Sequence, residues 1–228
     1  MKFGTVIAGF VALYVSMTAQ ADLLLDKNFV EFLATEVPRK DITLSNSGDK
    51  ASYVDVEVSR IENPGTENEQ RLTITDPREL GLLASPRRLK LEPGESRRLR
   101  LTLLKRAKTK DEVFRVKITP SIDEFGETKG QLQILIAYDA LVIARPPNAN
   151  ARIDAKREGN QLTLTNDGNT SILYYNGQQC DDTGGNCRQL AGRRIYGGTS
   201  RTLELPYAES PVKFLSSSHE RETKVVVH

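Results

Sequence analysis

The chain has 228 residues, enough for one or two domains. Hydrophobic residues make up 38% and charged residues 27%, which supplies a core and excludes a disordered chain. With 32 Lys and Arg against 30 Asp and Glu, the balance gives no reason to expect a nucleic-acid partner. The two His stand at 219 and 228, and there are only two Cys. That argues against a histidine-centred active site, a disulfide scaffold or a thiolate metal centre. No cofactor or metal is expected, and no cluster of His, Cys or paired carboxylates suggests an enzyme.

The first element is a targeting segment. Lys2 is followed by an apolar run from Val6 to Val15 and by Ala19-Gln20-Ala21, a small-x-small cleavage pattern. Residues 1–21 are read as a secretory signal peptide, since the run is shorter than the roughly 20 residues a spanning helix needs. The mature chain is therefore expected to be exported.

From residue 22 onward the pattern is that of strands. Val54, Val56 and Val58 alternate with Asp55, Glu57 and Ser59. Leu99, Leu101 and Leu103 alternate with Arg98, Arg100 and Thr102, and Phe114, Val116 and Ile118 with Arg115, Lys117 and Thr119. Leu162 and Leu164 follow the same rule further on. A period of two with one apolar face marks half-buried antiparallel strands. Turn signals separate the runs: Asn46-Ser47-Gly48-Asp49, Asn63-Pro64-Gly65, Pro93-Gly94, Asn166-Asp167-Gly168 and Gly197-Gly198. No stretch reads as a helix. The expected fold is all-β, two immunoglobulin-like β-sandwich domains of about 100 residues each. Arg145-Pro146-Pro147-Asn148 is the expected linker, because two prolines stop a strand. The expected domains are residues 22–146 and 150–228.

One segment breaks the half-buried rule. Residues 131–145 are apolar at both parities: Leu132, Ile134, Ile136 and Tyr138 at one, Leu135, Ala137 and Leu141 at the other. Extended, fifteen residues would span about 50 Å, beyond an ordinary strand. One reading is a fully buried central strand. The other is a strand whose second apolar face is filled by another chain added along its edge.

In the second expected domain, Cys180 and Cys187 flank Gly184-Gly185. An exported chain holds disulfides, so these two are expected to pair with each other. The basic clusters Arg87-Arg88, Arg97-Arg98-Arg100 and Lys105-Arg106 lack interleaved aromatic residues and are read as solvated strand edges and loops.

Several segments together resemble the periplasmic pilus chaperones of the PapD-like family. Leu25-Asp26-Lys27 with Val30 and Phe32 is similar to their first strand. Ser85-Pro86-Arg87, Leu91-Glu92-Pro93-Gly94 and Glu112-Val113-Phe114-Arg115-Val116 resemble later ones. Residues 131–146, ending Ala144-Arg145-Pro146, resemble the strand that these chaperones lend to a pilin. Asn63-Pro64-Gly65-Thr66, Gly81-Leu82-Leu83 and the cysteine pair are closer to the alternate, CfaA-like class and its EcpB-like relatives.

The resemblance implies two sandwiches in a bent arrangement, and a location in the periplasm of a Gram-negative cell. It implies pilus subunits and an outer-membrane usher as partners, and self-association through the lent strand when free. The side chains given to the pilin would be Leu132, Ile134 and Ile136, with Tyr138 a further candidate. The family holds the pilin's terminal carboxylate with a basic residue on the first strand and another on the lent strand. Here those positions read Phe29 and Leu141, which leaves Lys27, Arg115 and Arg145 as candidate anchors. It also orients its domains with an ion pair that falls on Glu112 and Arg145. The alternative function is a structural or adhesive pilus component built on the same fold.

Overall fold

The computed structural model describes residues 23–121, 135–218 and 221–227. The expected signal peptide lies outside them, as do Leu132 and Ile134. In chain order, the first half forms β1 (Leu23–Leu25), β2 (Phe29–Phe32), β3 (Arg39–Asn46), β4 (Ser52–Glu62), β5 (Gln70–Leu72) and a one-turn helix α1 (Pro77–Leu80). It continues with β6 (Leu82–Ser85), β7 (Arg88–Leu91), β8 (Ser96–Leu103), β9 (Glu112–Ser121) and β10 (Tyr138–Ala144).

These strands make two sheets. One runs β1-β3-β8-β6, the other β2-β10-β9-β4-β5 with β7 also on β4. The alternating apolar residues explain the stacking. Val54, Val56, Val58, Leu99, Leu101, Phe114, Val116 and Ile118 all meet in one buried cluster with Val30, Leu44 and Val142. The start of the chain serves both sheets. Asp26 exchanges bonds with Thr43, its N–H donating to the carbonyl at 3.1 Å and its Oδ1 accepting from the Thr43 N–H at 2.8 Å. The chain then crosses, and β2 pairs in parallel with β10, Leu141 opposite Phe29.

Two expectations change. A helix is present where none is expected: Asp76 caps α1 through its side chain to the Arg78 N–H, Pro77 opens it, and Gly81 closes it at φ 101°. The signal is in the sequence, an acid before a proline with glycine four residues on, but the helix is one turn long and carries no periodicity. The strand expected over 131–145 is, among the described residues, the seven-residue Tyr138–Ala144. Residues 135–137 carry no strand pairing.

The second half forms β11 (Ile153–Glu158), β12 (Gln161–Asn166), β13 (Ile172–Cys180), β14 (Cys187–Leu190), β15 (Arg193–Ile195), β16 (Thr199–Glu204), β17 (Val212–Ser218) and β18 (Arg221–Val227). They too make two sheets, β11-β12-β16 and β14-β13-β17-β18, with β15 on β13. Leu162, Leu164, Ile172, Tyr174, Ile195 and Phe214 fill the space between them. Cys180 and Cys187 are disulfide-bonded, S–S 2.02 Å, across the β13–β14 pair.

Candidate functional site

The outer face of the β2-β10-β9-β4 sheet can be mapped from its registers. Cross-strand partners share a face and neighbours along a strand alternate. Ala140, Val142 and Ala144 point into the first core. Their neighbours Leu141 and Ile143 therefore point out. Leu141 lies between Phe29 and Arg115, and Ile143 between Glu31 and Val113. Ile61 of β4 opposes Val113. Ile61, Val113 and Ile143 form a small apolar cluster that is completed by Tyr196 from the second sandwich, with Leu141 against it. This contact joins the two sandwiches. Burial raises the Tyr196 hydroxyl pKa, while Arg194 and Arg115 pull it the other way. A β-carbon built on Gly65 would stand 2.8 Å from the Tyr196 ring, so glycine there lets the Asn63–Thr66 turn of the first sandwich close on the second.

Arg145 locks the boundary. It is 3% exposed. Its Nε donates to Glu31 Oε1 at 2.6 Å and its Nη1 to Asp111 Oδ2 at 3.0 Å. The same nitrogen reaches the Ser171 carbonyl at 2.9 Å and Thr170 Oγ1 in the second sandwich. Asp111 in turn accepts from the Ser171 N–H at 2.7 Å and from Thr170 Oγ1 at 2.7 Å. The expected partner Glu112 is replaced by Asp111 and Glu31. Parity gives the reason: Glu112 opposes Ala144 and shares its face, whereas Arg145 is one residue further on and points to the other. The expectation is one position out, which on a strand moves a side chain to the opposite side.

The remaining site residues fall as follows. Ile136 is 48% exposed and Leu135 43%, side by side just before β10. Tyr138 is half-buried, packs on the chain's own core and donates its hydroxyl to the Leu23 carbonyl at 2.6 Å. It ties β10 to the neighbouring sheet instead of standing free for a partner. Lys27 sits in the bend between β1 and β2, its Nζ 3.2 Å from Asp26. Arg115 stands beside Leu141, with Asp139 shared between it (3.9 Å) and Arg71 (2.7 Å). The sequence does not point to Arg194. Its guanidinium lies over the Phe29 ring at 4.9 Å. Only a fold that brings β15 against β2 puts these two together. Among the described residues no group of three or more His, Cys, Asp or Glu could hold a metal.

The edge of β10 is open along part of its length. β9 pairs with Tyr138–Ala144 on one side. On the other side β2 pairs only with Leu141–Ala144. Among the described residues, Tyr138, Asp139 and Ala140 have a strand neighbour on one side alone, and exposed Leu135 and Ile136 precede them.

No protein-family model matches the chain. A curated relative from Escherichia coli, named as one of the CFA/I fimbrial subunits, is 28% identical over 158 residues, 63% of this chain. The alignment spans 64% of that relative, under two thirds of its length. Among solved structures, the class 5 fimbriae chaperone CfaA superposes with a TM-score of 0.63 at 22% identity, covering 90% of this chain and 98% of that one. A chain from the Salmonella enterica complex of SafA pilin with the SafB chaperone gives 0.65 at 15% identity, covering 92% and 98%. The chain has the two-sandwich fold of the fimbrial chaperones.

Proposed function

We propose that this protein is a periplasmic chaperone of fimbriae. It holds each pilin by adding the open edge of β10, extended back through 131–137, to the pilin's sheet, and it delivers the pilin to an outer-membrane usher. The observation that carries this reading is the half-paired edge of β10 with exposed Leu135 and Ile136 at its open end. An unpaired row of backbone groups beside apolar side chains is an aggregation liability unless another strand covers it. Backbone pairing gives affinity without demanding one pilin sequence, and alternate side chains give specificity. Leu132, Ile134 and Ile136 share one parity and are the side chains offered to the pilin's groove. Each would contribute roughly 1.5–3 kcal/mol on burial, before the cost of association is deducted. Structural neighbours include chaperone–pilin and chaperone–adhesin complexes, which supports pilus subunits as the partners here. The mechanism uses no cofactor and no chemistry on the pilin.

The pilin's terminal carboxylate needs charge-assisted donors. Of the three candidates, Arg145 is committed to the domain boundary and Lys27 is half-exposed beside Asp26. Arg115 is on the outer face of the sheet next to Leu141 and is the anchor we favour.

The second reading, a structural or adhesive pilus component, is favoured by the name of the curated relative, which calls it part of a fimbria. Such a component would receive a strand from another chain, whereas this one has an edge to give. Co-purification from the periplasm with a co-expressed pilin tests the first reading. Ile136→Asp puts a charge into an apolar groove at a cost of several kcal/mol and should lower capture at least about tenfold. Leu135→Asp, at the opposite parity, should change it less than about threefold. Both positions are exposed, so circular dichroism should match wild type in each. Equal capture by Ile136→Asp and wild type would refute the mechanism.

A further inference from the structure

We infer that β18 is a self-association edge, along which two copies of this protein pair antiparallel about a two-fold axis at Thr223. The inference goes beyond the chaperone reading and does not depend on it. Three observations carry it. First, β18 is an open edge. It pairs with β17 without a break over all seven residues and has no strand neighbour on its other side among the described residues. Proline or a bulge often blunts such an edge, and β18 has neither. Val225 and Val227 pack on the second core, and Val226 between them is 48% exposed. Second, the backbone shows which groups are on offer. Ser216 Oγ donates to the Thr223 carbonyl at 3.2 Å, so that carbonyl faces β17. By alternation the N–H and carbonyl groups of Glu222, Lys224 and Val226 face the open side. Third, the charges select a register. Glu222 and Lys224 are exposed and share a face, with Thr223 between them. A two-fold axis at Thr223 sets each Glu222 opposite Lys224 of the second copy, and their outward backbone groups meet. An axis at Glu222 or at Lys224 sets like charges face to face, and one at Val225 leaves Lys224 against Val226. Opposite charges across strands are favourable and like charges unfavourable. Lys224 makes no ion pair among the described residues. Glu222 Oε2 accepts from the Tyr175 hydroxyl, which leaves Oε1 for the second copy.

Another edge of the second sandwich shows the contrast. β11 also carries charges of both signs, but its Lys156 is already bonded to Glu158 of the same strand at 2.6 Å. Its charges are satisfied within one copy, whereas Lys224 finds its partner only in a second. The pairing joins the β14-β13-β17-β18 sheets of two copies into one continuous sheet. A single strand edge is a small contact, so the dimer belongs to the weak, reversible class. It uses no part of β10, and both β10 edges stay open in it.

Charge exchange and cross-linking test the edge and its register. Sedimentation equilibrium of the full mature chain should show a reversible dimer with a Kd below about 1 mM. Lys224→Glu and Glu222→Lys each set like charges opposite one another and should raise that Kd at least about tenfold. An equimolar mixture of the two variants restores both opposite-charge pairs and should associate within about threefold of wild type. Thr223→Cys should give a covalent dimer in oxidised glutathione, because its two copies face each other at about 4.5 Å between Cα atoms, a disulfide distance. Val225→Cys should not, since in this register its two copies lie about 13 Å apart. Ile136→Asp should dimerise like wild type. A monomer at every concentration, a dimer indifferent to Lys224→Glu, no rescue in the mixture, or cross-linking at Val225→Cys in place of Thr223→Cys would overturn the assignment. A dimer lost in Ile136→Asp would overturn it too, by moving the contact to β10.

Discussion

Asn46 and Asn166 occupy equivalent places in the two sandwiches and share three bonds, while Asn166 Oδ1 also accepts from the Arg152 N–H at 3.2 Å. Each ends a strand and is almost fully buried. Asn46 Oδ1 accepts from the Gly48 N–H at 3.0 Å, while its Nδ2 donates to the carbonyls of Lys50 at 2.7 Å and Leu91 at 3.0 Å. Asn166 Oδ1 accepts from the Gly168 N–H at 3.0 Å, and its Nδ2 donates to the carbonyls of Thr170 at 2.8 Å and Ile195 at 3.1 Å. One amide thus satisfies a turn N–H and two carbonyls. Asn166→Ala should cost about 2–4 kcal/mol, because it leaves buried polar groups unmade; urea unfolding measures it, and a loss under about 0.5 kcal/mol would contradict this account. Both sites are legible in the sequence as turns, from Asn and Gly two apart. Their buried role is not, because the more distant carbonyls they satisfy come from residues 45 and 29 positions away.

Asp181 offers a second residue-scale test. Its carboxylate accepts from Thr183 Oγ1 at 2.7 Å, Asn186 Nδ2 at 2.6 Å and the Gly185 N–H at 3.0 Å. Bonds from Thr183 first, then Asn186, lower its pKa to about 2. A depressed carboxyl stabilises the disulfide-closed loop above its ordinary pKa, and that support is lost as pH falls through about 2. Carboxyl-detected NMR should place the midpoint near 2, and a midpoint at the ordinary carboxylate value would show that the bonds do not persist in solution.

At the scale of elements, β10 does three jobs at once. Its even residues fill the first core, Leu141 and Ile143 pack toward Tyr196 of the second sandwich, and Arg145, just beyond its end, bonds the second sandwich. The sequence shows the segment to be apolar on both faces but not where β2 stops covering it, since that edge is set by a parallel pairing with residues far earlier in the chain. The boundary lock is legible only as Arg145 and an acid near the start of β9. Choosing Asp111 over Glu112 needs the register. The two acids now make a direct test. Arg145→Ala leaves Asp111 with a buried, unpaired charge and should cost about 3–5 kcal/mol at the boundary. Its small-angle scattering profile should broaden toward longer distances between the sandwiches. Glu112→Gln should leave the profile as in wild type, and the opposite pattern would restore Glu112 as the partner.

For the whole molecule, the central claim is that another chain completes the open edge of β10. The backbone says which amides must report it. The Leu141 N–H donates to Asn28 and the Arg145 N–H to Phe32, so odd-numbered amides of this strand point toward the β2 side. By the same alternation those of Asp139 and Ala137 point to the open edge, while Tyr138 and Ala140 face β9. Hydrogen exchange resolved to single amides, with and without a bound pilin, therefore tests the account most directly. The account predicts that Ala137 and Asp139 exchange rapidly in the free protein and become strongly protected in the complex, with Ala140 protected in both. Unchanged exchange at Ala137 and Asp139 in a saturated complex would contradict it.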